Sequence, residues 1–145
     1  PRYLSKRGVQ LLANYRYMLS EKSSGEFNGG WLTDKASSNR TRWFTTYSHY
    51  FELPNEYIQR TTVNLTSDVD YVKDFQYHFN FVGESALDTR TSLTKNHAGY
   101  HVSLDTSYYL SLIQNSIDDS KENSVHRLPE IRFSVTDKRL FQSFP

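Results

Sequence analysis

Histidine side chains are the first residues of this sequence whose chemistry can be assessed from spacing. Five occur, and His97 and His101 have the four-residue spacing that metal ligands use on a helix. Gly99 lies between them, and residues 100–104 alternate like a strand, in which positions four apart lie about 13 Å from each other. Because ligands at that distance do not share one ion, the sequence predicts no metal site and no cofactor. The absence of cysteine excludes disulfides and thiolate chemistry.

The stretch from His101 to Ser103 resembles the His-x-Ser/Thr motif of the two-histidine phosphodiesterases. In that family the histidine acts as acid or base, the hydroxyl binds phosphate, and two copies of the motif face each other across a cleft. This sequence has one copy of the motif, since the most similar other stretch, His78 to Asn80, lacks the hydroxyl. An enzyme that uses His101 and Ser103 is therefore the third of three functional hypotheses, and the sequence favours a protein without catalytic residues.

Basic side chains cluster near the N-terminus and are interleaved with tyrosines. The cluster comprises Arg2, Lys6, Arg7 and Arg16. Such a surface is typical of contact with an anionic partner such as RNA or an acidic lipid surface, and the alternative is an ordinary solvated face. The formal net charge of the chain is only +1, which argues against nucleic-acid binding across the whole surface. Nucleic acid is thus expected only through this segment.

The elements that position these groups begin with a predicted amphipathic helix, which forms a helical arm over residues 1–22. Its apolar residues recur close to helical spacing; they are Leu4, Leu11, Leu12, Tyr15 and Leu19. The Ser-, Gly- and Asn-rich residues 20–30 would end the helix, and Gly29-Gly30 is predicted to be a turn.

Period-two alternation predicts strands in the rest of the chain. The predicted strands are Trp43–Leu53, Thr61–Thr66, a fragment at 69–71, Phe75–Phe81, Tyr100–Asp105 and Ile131–Thr136. The segments between them are a turn at Pro54-Asn55, a polar stretch at 83–99, a compact apolar run at 108–113 and a polar loop at 116–124. Short strands with turn-rich connections favour a mainly β fold, an antiparallel β-sandwich over residues 30–145 that forms a single domain (1–145) with the arm.

Aromatic residues make up 15% of the chain, and most of these rings are expected to fill the core. No apolar run approaches the roughly 18 residues that a membrane-spanning helix needs. The chain is therefore expected to be soluble, without a membrane span, in a compartment that the sequence does not identify. A tyrosine-rich sandwich with polar loops also suits a binding surface, because tyrosine combines a rigid apolar ring with a polar tip.

From residue 30 to residue 119 the order of features resembles the H-type lectin domain. The matching pieces are Gly30-Trp31, Phe51-x-Leu53-Pro54, Val63-x-Leu65-Thr66 followed by Asp70, and Gly99-Tyr100 leading into Thr106. The resemblance implies a small trimeric sandwich that binds N-acetylgalactosamine, with an aromatic ring after Thr106 stacking on the sugar. The arginine that the family usually carries after the central aspartate is missing, and Lys73 is the cation in that stretch. The candidate ligand-binding residues are Tyr108, Tyr109, Asp70, Trp31 and His101.

Three hypotheses follow for the function. The first is a non-enzymatic binding module for a glycan or a protein partner, forming a homo-oligomer or belonging to a larger complex. The second is a structural subunit of a capsid, fibre or multi-protein complex that uses the basic arm. The third is the phosphodiesterase-like enzyme.

Overall fold

The computed structural model describes residues 1–78, 86–113 and 126–135. Eight strands form one open antiparallel sheet in which each strand is hydrogen-bonded to its neighbours in the sequence. They are β1 (Arg2–Leu4), β2 (Gly8–Ser20), β3 (Ser23–Asp34), β4 (Arg40–Leu53), β5 (Tyr57–Thr66), β6 (Ala86–His97), β7 (Tyr100–Ser111) and β8 (Arg127–Val135). A short helix, α1 (Val69–Asp74), and a 3₁₀ turn (Gln76–His78) follow β5, and a second 3₁₀ turn (Lys35–Ser37) follows β3. Within the described ranges, no helix has the length and apolar character needed to cross a bilayer.

The connections at the two ends of the sheet differ in length. At one end, which we call the short-turn end, turns of two or three residues join the strands; they are Glu21-Lys22, Pro54–Glu56 and Ala98-Gly99. Asn55 and Glu56 have φ values of 62° and 66°, and Gly99 has a φ of 103°, as tight reversals of the chain require. The predicted turn at Pro54-Asn55 is confirmed. At the other end, the long-connection end, the segments after β3, β5 and β7 are longer.

The prediction of a mainly β, antiparallel fold is confirmed, but the sandwich is wrong. The described strands form one sheet, so within residues 1–78, 86–113 and 126–135 no second sheet covers the first. The sandwich was inferred because an apolar strand face normally packs on another layer. Here much of that face is exposed, as detailed below.

The predicted N-terminal helix is also wrong, because residues 8–20 form β2 and residues 2–4 form β1. Leu11, Tyr15 and Leu19 fit helical spacing, yet they also share one parity with Val9 and Tyr17, and that parity is the period of a strand. Pairing of β2 along β3 from Gln10 to Ser20 supplies the hydrogen bonds that the helix would have made internally.

Further segments depart from the sequence predictions. Residues 69–71 belong to α1 rather than to a strand, and Phe75 to His78 follow that helix as its C-cap and a 3₁₀ turn. Gly29-Gly30 lies inside β3 instead of at a turn, and β6 occupies the polar stretch predicted at 83–99. The Thr-rich composition of β6 suits a strand because threonine is β-branched. The rest of the Phe75–Phe81 prediction, the 116–124 loop and Thr136 lie outside the described residues.

Four predicted strands are confirmed. Residues 43–53 lie in β4, Tyr100–Asp105 in β7, and residues 131–135 in β8. The Thr61–Thr66 strand is confirmed as the second half of β5, and most of the apolar run at 108–113 continues β7. Alternation over five or more residues therefore identified these strands correctly.

Directly paired residues in an antiparallel sheet point to the same side, so the register defines two faces. Leu11 pairs with Trp31, and Trp31 pairs with Trp43; we call their side the apolar face. Leu12 and its partner Gly30 point to the opposite side, which we call the polar face.

The buried core lies where α1 packs on the polar face. Leu32 of β3 and Phe44 of β4 are 0% and 3% exposed. The helix and the residue after it contribute Val69, Tyr71, Val72 and Phe75, and Leu87, Leu110 and Leu112 complete the cluster. Asp68 begins the helix as its N-cap, since its carboxylate accepts a 2.8 Å hydrogen bond from the Tyr71 amide, and such caps stabilise a helix start.

Candidate functional site

The apolar face carries most of the large exposed hydrophobic side chains of the described residues. They are Tyr3, Val9, Leu11, Tyr15, Trp31, Trp43, Leu65, Leu104, Ile131, Phe133 and Val135, with exposed fractions from 38% to 75%. The sheet register places all of them on one side, from β1 to β8. Soluble monomers seldom expose a continuous apolar surface of this extent, so this face is a candidate contact surface.

Aromatic side chains lie towards both ends of the apolar face. Trp31 and Trp43 pair across β3 and β4 near the long-connection end. Towards the short-turn end, the Lys95 ammonium lies 4.7 Å from the Tyr57 ring centre and 6.0 Å from that of Tyr100. Aromatic rings and the stem of lysine are amphipathic groups that suit a boundary between apolar material and water.

A hydrogen-bonded cluster of Tyr17, Tyr47 and His49 interrupts the apolar face. The Tyr17 hydroxyl lies 2.7 Å from the Tyr47 hydroxyl and 2.6 Å from His49 Nδ1. Tyr17 belongs to β2 whereas the other two belong to β4, so its ring crosses β3 at Gly25. A methyl group at Gly25 would collide with the Tyr17 ring and hydroxyl. The glycine thus allows three polar groups to satisfy one another on an apolar surface.

The polar face is lined by hydroxyl, amide and charged side chains. It includes Asn14, Arg16, Glu26, Asn28, Ser48, Arg60, Thr62, Arg90, Ser92, Asp105, Glu130 and Arg132. Glu26 accepts hydrogen bonds from Asn14 at 2.9 Å and Asn28 at 3.2 Å. Side chains of this kind suit contact with water, so the two faces of the sheet have opposite solvent preferences.

A buried ion network lies at the long-connection end of the polar face and centres on Arg42. This guanidinium, 4% exposed, lies 2.9 Å from Asp34, 2.8 Å from Asp68 and 2.8 Å from Asp74. Arg7 extends the network, at 2.9 Å from Asp34 and 2.7 Å from Asp74. The five side chains come from β3, β4, α1 and the connections before β2 and α1, so the network joins segments that are distant in sequence.

Two carboxylates of the network, Asp68 and Asp74, are held in the charged form. Burial alone would raise the pKa of Asp68, but hydrogen bonds from Arg42 and Ser67 and the charge of Arg42 hold it below its ordinary value. The pKa of Asp74 is lowered against burial in the same way, by Arg7 and Arg42. Both aspartates are therefore ionised at neutral pH.

Aromatic contacts hold the segment after Asp68 against the sheet. The His78 ring stacks on Phe44 with centres 4.4 Å apart, and burial, together with the charge of Arg2, lowers the pKa of His78. Gln10, which is fully buried, places its Nε2 at 2.9 Å from the Tyr71 hydroxyl and 3.1 Å from His78 Nε2. A helix thus covers one region of an otherwise water-suited face.

The structure separates the residues that the sequence nominated for ligand binding. Trp31 lies on the apolar face, and Asp70 lies on α1, exposed and paired with Lys73. Tyr108 and Tyr109 are consecutive in β7 and so point to opposite faces; Tyr108 stacks on His126 with ring centres 4.3 Å apart. His101 contacts Asn96. Nothing in the structure tests whether these residues bind a ligand, which stays a prediction.

The nominated basic residues are likewise distributed. Arg7 belongs to the ion network, whereas Arg16 lies on the polar face, 3.3 Å from Glu26. Arg2 lies over the Tyr77 ring at 5.3 Å, and Lys6 is exposed in the turn before β2. Partner contact through these residues also remains a prediction, although the helical arm that would have carried it is absent.

Sequence reasoning missed Arg42 and its three aspartates. The available signal was local: Asp68 precedes Val69, Val72 and Tyr71, a capping residue followed by apolar residues at helical spacing. His97, considered as a metal ligand, lies 2.9 Å from Glu56 instead. Within the described residues, no group of three His, Asp or Glu side chains is arranged to hold a metal ion.

Comparisons with known proteins point to one family. The family described as "LptD: LPS transport system D" matches residues 40–144. Proteins named "LPS-assembly protein LptD" are 28% identical over 131 residues in Alkalilimnicola ehrlichii and 29% identical over 135 residues in Thiobacillus denitrificans, covering 90% and 93% of this chain. A third, from Xanthomonas euvesicatoria, is 33% identical over 86 residues, or 59% of this chain. The matches cover 16%, 18% and 10% of those proteins, so the chain spans less than a fifth of the relatives.

These matches overturn the functional hypotheses drawn from sequence. The resemblance to H-type lectins rested on the spacing of common residue types, and the lectin, structural-subunit and phosphodiesterase hypotheses are wrong. A family match over more than half of the chain shows instead where it belongs. This chain is a member of the LptD family, LPS transport system D.

Proposed function

We propose that this chain is a strand-forming segment of an LPS-assembly protein and that its apolar face contacts lipid acyl chains. The relatives carry that name, and we extend it to the longer protein of which such a segment is part. In this proposal the sheet separates acyl chains on one side from water on the other and lies in a membrane that receives LPS.

The observation that carries the proposal is the difference in polarity between the two faces. Large apolar side chains on one face remain exposed across the width of the sheet, while the opposite face is hydroxyl-rich and charged. An apolar face of this extent is unfavourable in water, since each Å² left exposed forgoes about 25 cal/mol. Contact with acyl chains removes that cost.

Backbone geometry supports the same proposal. In lipid, each backbone N–H and C=O needs a partner within the protein, and pairing in the sheet supplies these partners along β3 to β7. The strands β2 to β7 contain between 10 and 14 residues, and a tilted strand needs about 9–11 residues to cross the apolar layer of a bilayer. Strand length and face polarity therefore agree.

Leu11 and Leu12 provide a matched test of the two faces. They are consecutive leucines in β2, 50% and 43% exposed, on the apolar and polar faces respectively. In the full-length protein reconstituted into bilayers, an environment-sensitive fluorophore attached at Leu11→Cys should be quenched by lipids brominated in the acyl chains. The same fluorophore at Leu12→Cys should be quenched by aqueous iodide.

Tyr15 on the apolar face and Met18 on the polar face repeat the comparison nearer the short-turn end, with 63% and 74% exposure. Equal lipid quenching at both members of a pair would overturn the proposed separation of lipid from water. Protection of Leu11→Cys from both quenchers would show that a protein partner, rather than lipid, covers the apolar face.

A protein partner also forms part of the proposal, because the family is described as one component of a transport system. The polar face is the surface we assign to it, since its charged and amide side chains can form hydrogen bonds across a wet interface. Cross-linking from Arg60→Cys on the polar face, in cells, should capture a protein that Leu65→Cys on the apolar face does not. Equal capture from both positions would contradict this assignment.

The role in LPS assembly needs a test in cells. A strain depleted of the full-length protein would be complemented with Leu11→Asp or with Leu12→Asp, and LPS arriving at the outer surface would be labelled with a membrane-impermeant reagent. A charge on the lipid side is costly whereas one on the water side is not, so arrival should fall with Leu11→Asp and persist with Leu12→Asp. Normal LPS arrival with no complementing protein would refute the functional assignment.

A further inference from the structure

The segment from Asp68 to His78 is attached to the sheet differently at its two ends. At the first end, the Ser67 amide donates to the Trp43 carbonyl at 2.9 Å and the Trp43 amide donates to Ser67 Oγ at 3.0 Å. Thr66 adds a 3.0 Å hydrogen bond to the Asp68 carbonyl. These bonds continue the pairing of β4 and β5, so they fix the start of the segment to the sheet.

The far end of the segment is held by side chains. Asp74 contacts Arg7 and Arg42 at 2.7 Å and 2.8 Å, and His78 stacks on Phe44. The backbone amides of Phe75 and His78 donate within the segment, to the carbonyls of Tyr71 and Phe75 respectively. Among the described residues, the contacts between this end and the sheet are therefore made by side chains.

The ion pairs at the far end are open to water, while those at the fixed end are not. Arg7 and Asp74 are 30% and 32% exposed at their side chains, against 10% for Asp68 and 4% for Arg42. A charged cavity of about 330 Å³ borders the network on this side. Water and ions can thus compete for Asp74, which is the weakest attachment of the segment.

The floor beneath the segment is apolar, in contrast to the rest of the polar face. Leu32 and Phe44 are 0% and 3% exposed and belong to the same buried cluster as the residues of α1, and Phe44 stacks on Tyr71 and His78. Displacement of the segment would add an apolar patch to a face that is otherwise lined by amides, hydroxyls and charges.

From this arrangement we infer that residues 69–78 form a latch that pivots at Asp68, closes over Leu32 and Phe44, and is released at Asp74. The ion pairs of Asp74 hold the latch shut, and its opening uncovers the apolar floor without unpairing the sheet. The inference goes beyond the proposed function and does not depend on lipid contact by the other face.

Thiol labelling of Leu32→Cys in the purified full-length protein reports opening, with modification at that residue read by peptide mass spectrometry. Met18→Cys, 74% exposed on the same face, gives the rate for an uncovered position. The latch predicts slow but measurable labelling at Leu32→Cys. Adding Asp74→Ala should raise that rate by at least about tenfold, because two charge-assisted contacts are lost.

Asp70→Ala is the matched control, since Asp70 lies on the same helix, is exposed, and pairs with Lys73 of that helix. It should leave the rate at Leu32→Cys unchanged. Gln10 is fully buried beneath Tyr71. Gln10→Cys therefore provides a second reporter in case the Leu32→Cys protein does not fold.

Three outcomes would overturn the latch. No labelling of either reporter in any variant would mean that the segment is permanently seated. An equal increase in the labelling rate at Leu32→Cys with Asp74→Ala and with Asp70→Ala would mean that the protein is loosened generally. If Leu32→Cys, with Asp74 and Asp70 unchanged, were labelled as fast as Met18→Cys, the segment would not cover the floor. None of these results bears on quenching at Leu11 and Leu12, so failure of the latch and failure of the proposed function can be told apart.

Discussion

The hydroxyls of Tyr17 and Tyr47 lie 2.7 Å apart although their strands are not neighbours. β3 runs between them, and Gly25 is the residue over which the Tyr17 ring passes. A contact between second-neighbour strands ties three strands together on the exposed apolar face. This contact requires the absence of a side chain at Gly25 as well as the presence of the two tyrosines.

Gly25→Ala should destabilise the full-length protein by about 1–3 kcal/mol, the usual cost of forcing an extra methyl group into a packed position. The added methyl displaces the Tyr17 ring and breaks its hydrogen bonds. Denaturant unfolding measures the loss, and Ser24→Ala, at an exposed neighbouring position, should change stability little. Equal stability of Gly25→Ala and Ser24→Ala would contradict the packing of Tyr17 over Gly25.

Arg42→Met should cost about 3–5 kcal/mol of unfolding free energy, because Asp68 would remain buried without its cation and Asp34 would keep only Arg7. The matched control is Arg16→Gln, which removes the ion pair with Glu26 at a side chain 74% exposed and should cost less than about 1 kcal/mol. Unfolding of the full-length protein in denaturant measures both. Similar costs for the two variants would show that the network around Arg42 adds little.

Acid should destabilise the protein through Asp68 and Asp74, whose folded-state pKa values are lowered. Their contribution is present above the unfolded pKa, about 3.9, and is lost as the pH falls below it towards the folded-state values. Stability measured in this range should fall less steeply in Asp68→Asn than in the parent. Asp70→Asn, which removes a carboxylate outside the network, should keep the same slope of stability against pH as the parent protein. A flatter slope in Asp70→Asn would contradict the assignment of the acid sensitivity to Asp68 and Asp74.

Long alternation identified the strands at 43–53, 100–105 and 131–135 correctly, but it was wrong for Phe75 to His78, which follow α1 as its C-cap and a 3₁₀ turn. In β4, the positions from Trp43 to Leu53 alternate without ambiguity, and both the strand and its face are confirmed. In β2, the positions of Leu11, Tyr15 and Leu19 fit both periods, so the helical interpretation could not be rejected without knowledge of the partner strand β3. Register with a neighbour, which decides such cases, is a property of the folded sheet.

The location of the rings could not be predicted for a different reason. Apolar side chains were expected inward because water was assumed to be the surroundings, and this assumption led to a second sheet. Trp31 and Trp43, at 46% and 39% exposure, show that one face has no cover from the described residues. The alternation predicts which residues share a face, but it does not predict which medium that face contacts.

The ion network lay beyond sequence reasoning because its members are scattered. Asp34 and Arg42 meet through the β3–β4 hairpin, in which Leu32 pairs with Arg42, and Asp74 arrives only when α1 folds back on the sheet. Sequence separation between Arg7 and Asp74 is 67 residues. A short capped helix could have been predicted at Asp68, but its partner on the sheet could not.

The strand order has a consequence for how the sheet can form. Each strand pairs with the one before it, so no step requires pairing with a strand that is distant in the strand order. The hairpins closed by the short turns at Glu21-Lys22, Pro54–Glu56 and Ala98-Gly99 lose the least chain entropy, whereas the longer connections after β3, β5 and β7 lose more. At each stage, the last strand presents an unpaired edge that serves as the template for the next, so such a sheet can be extended one hairpin at a time.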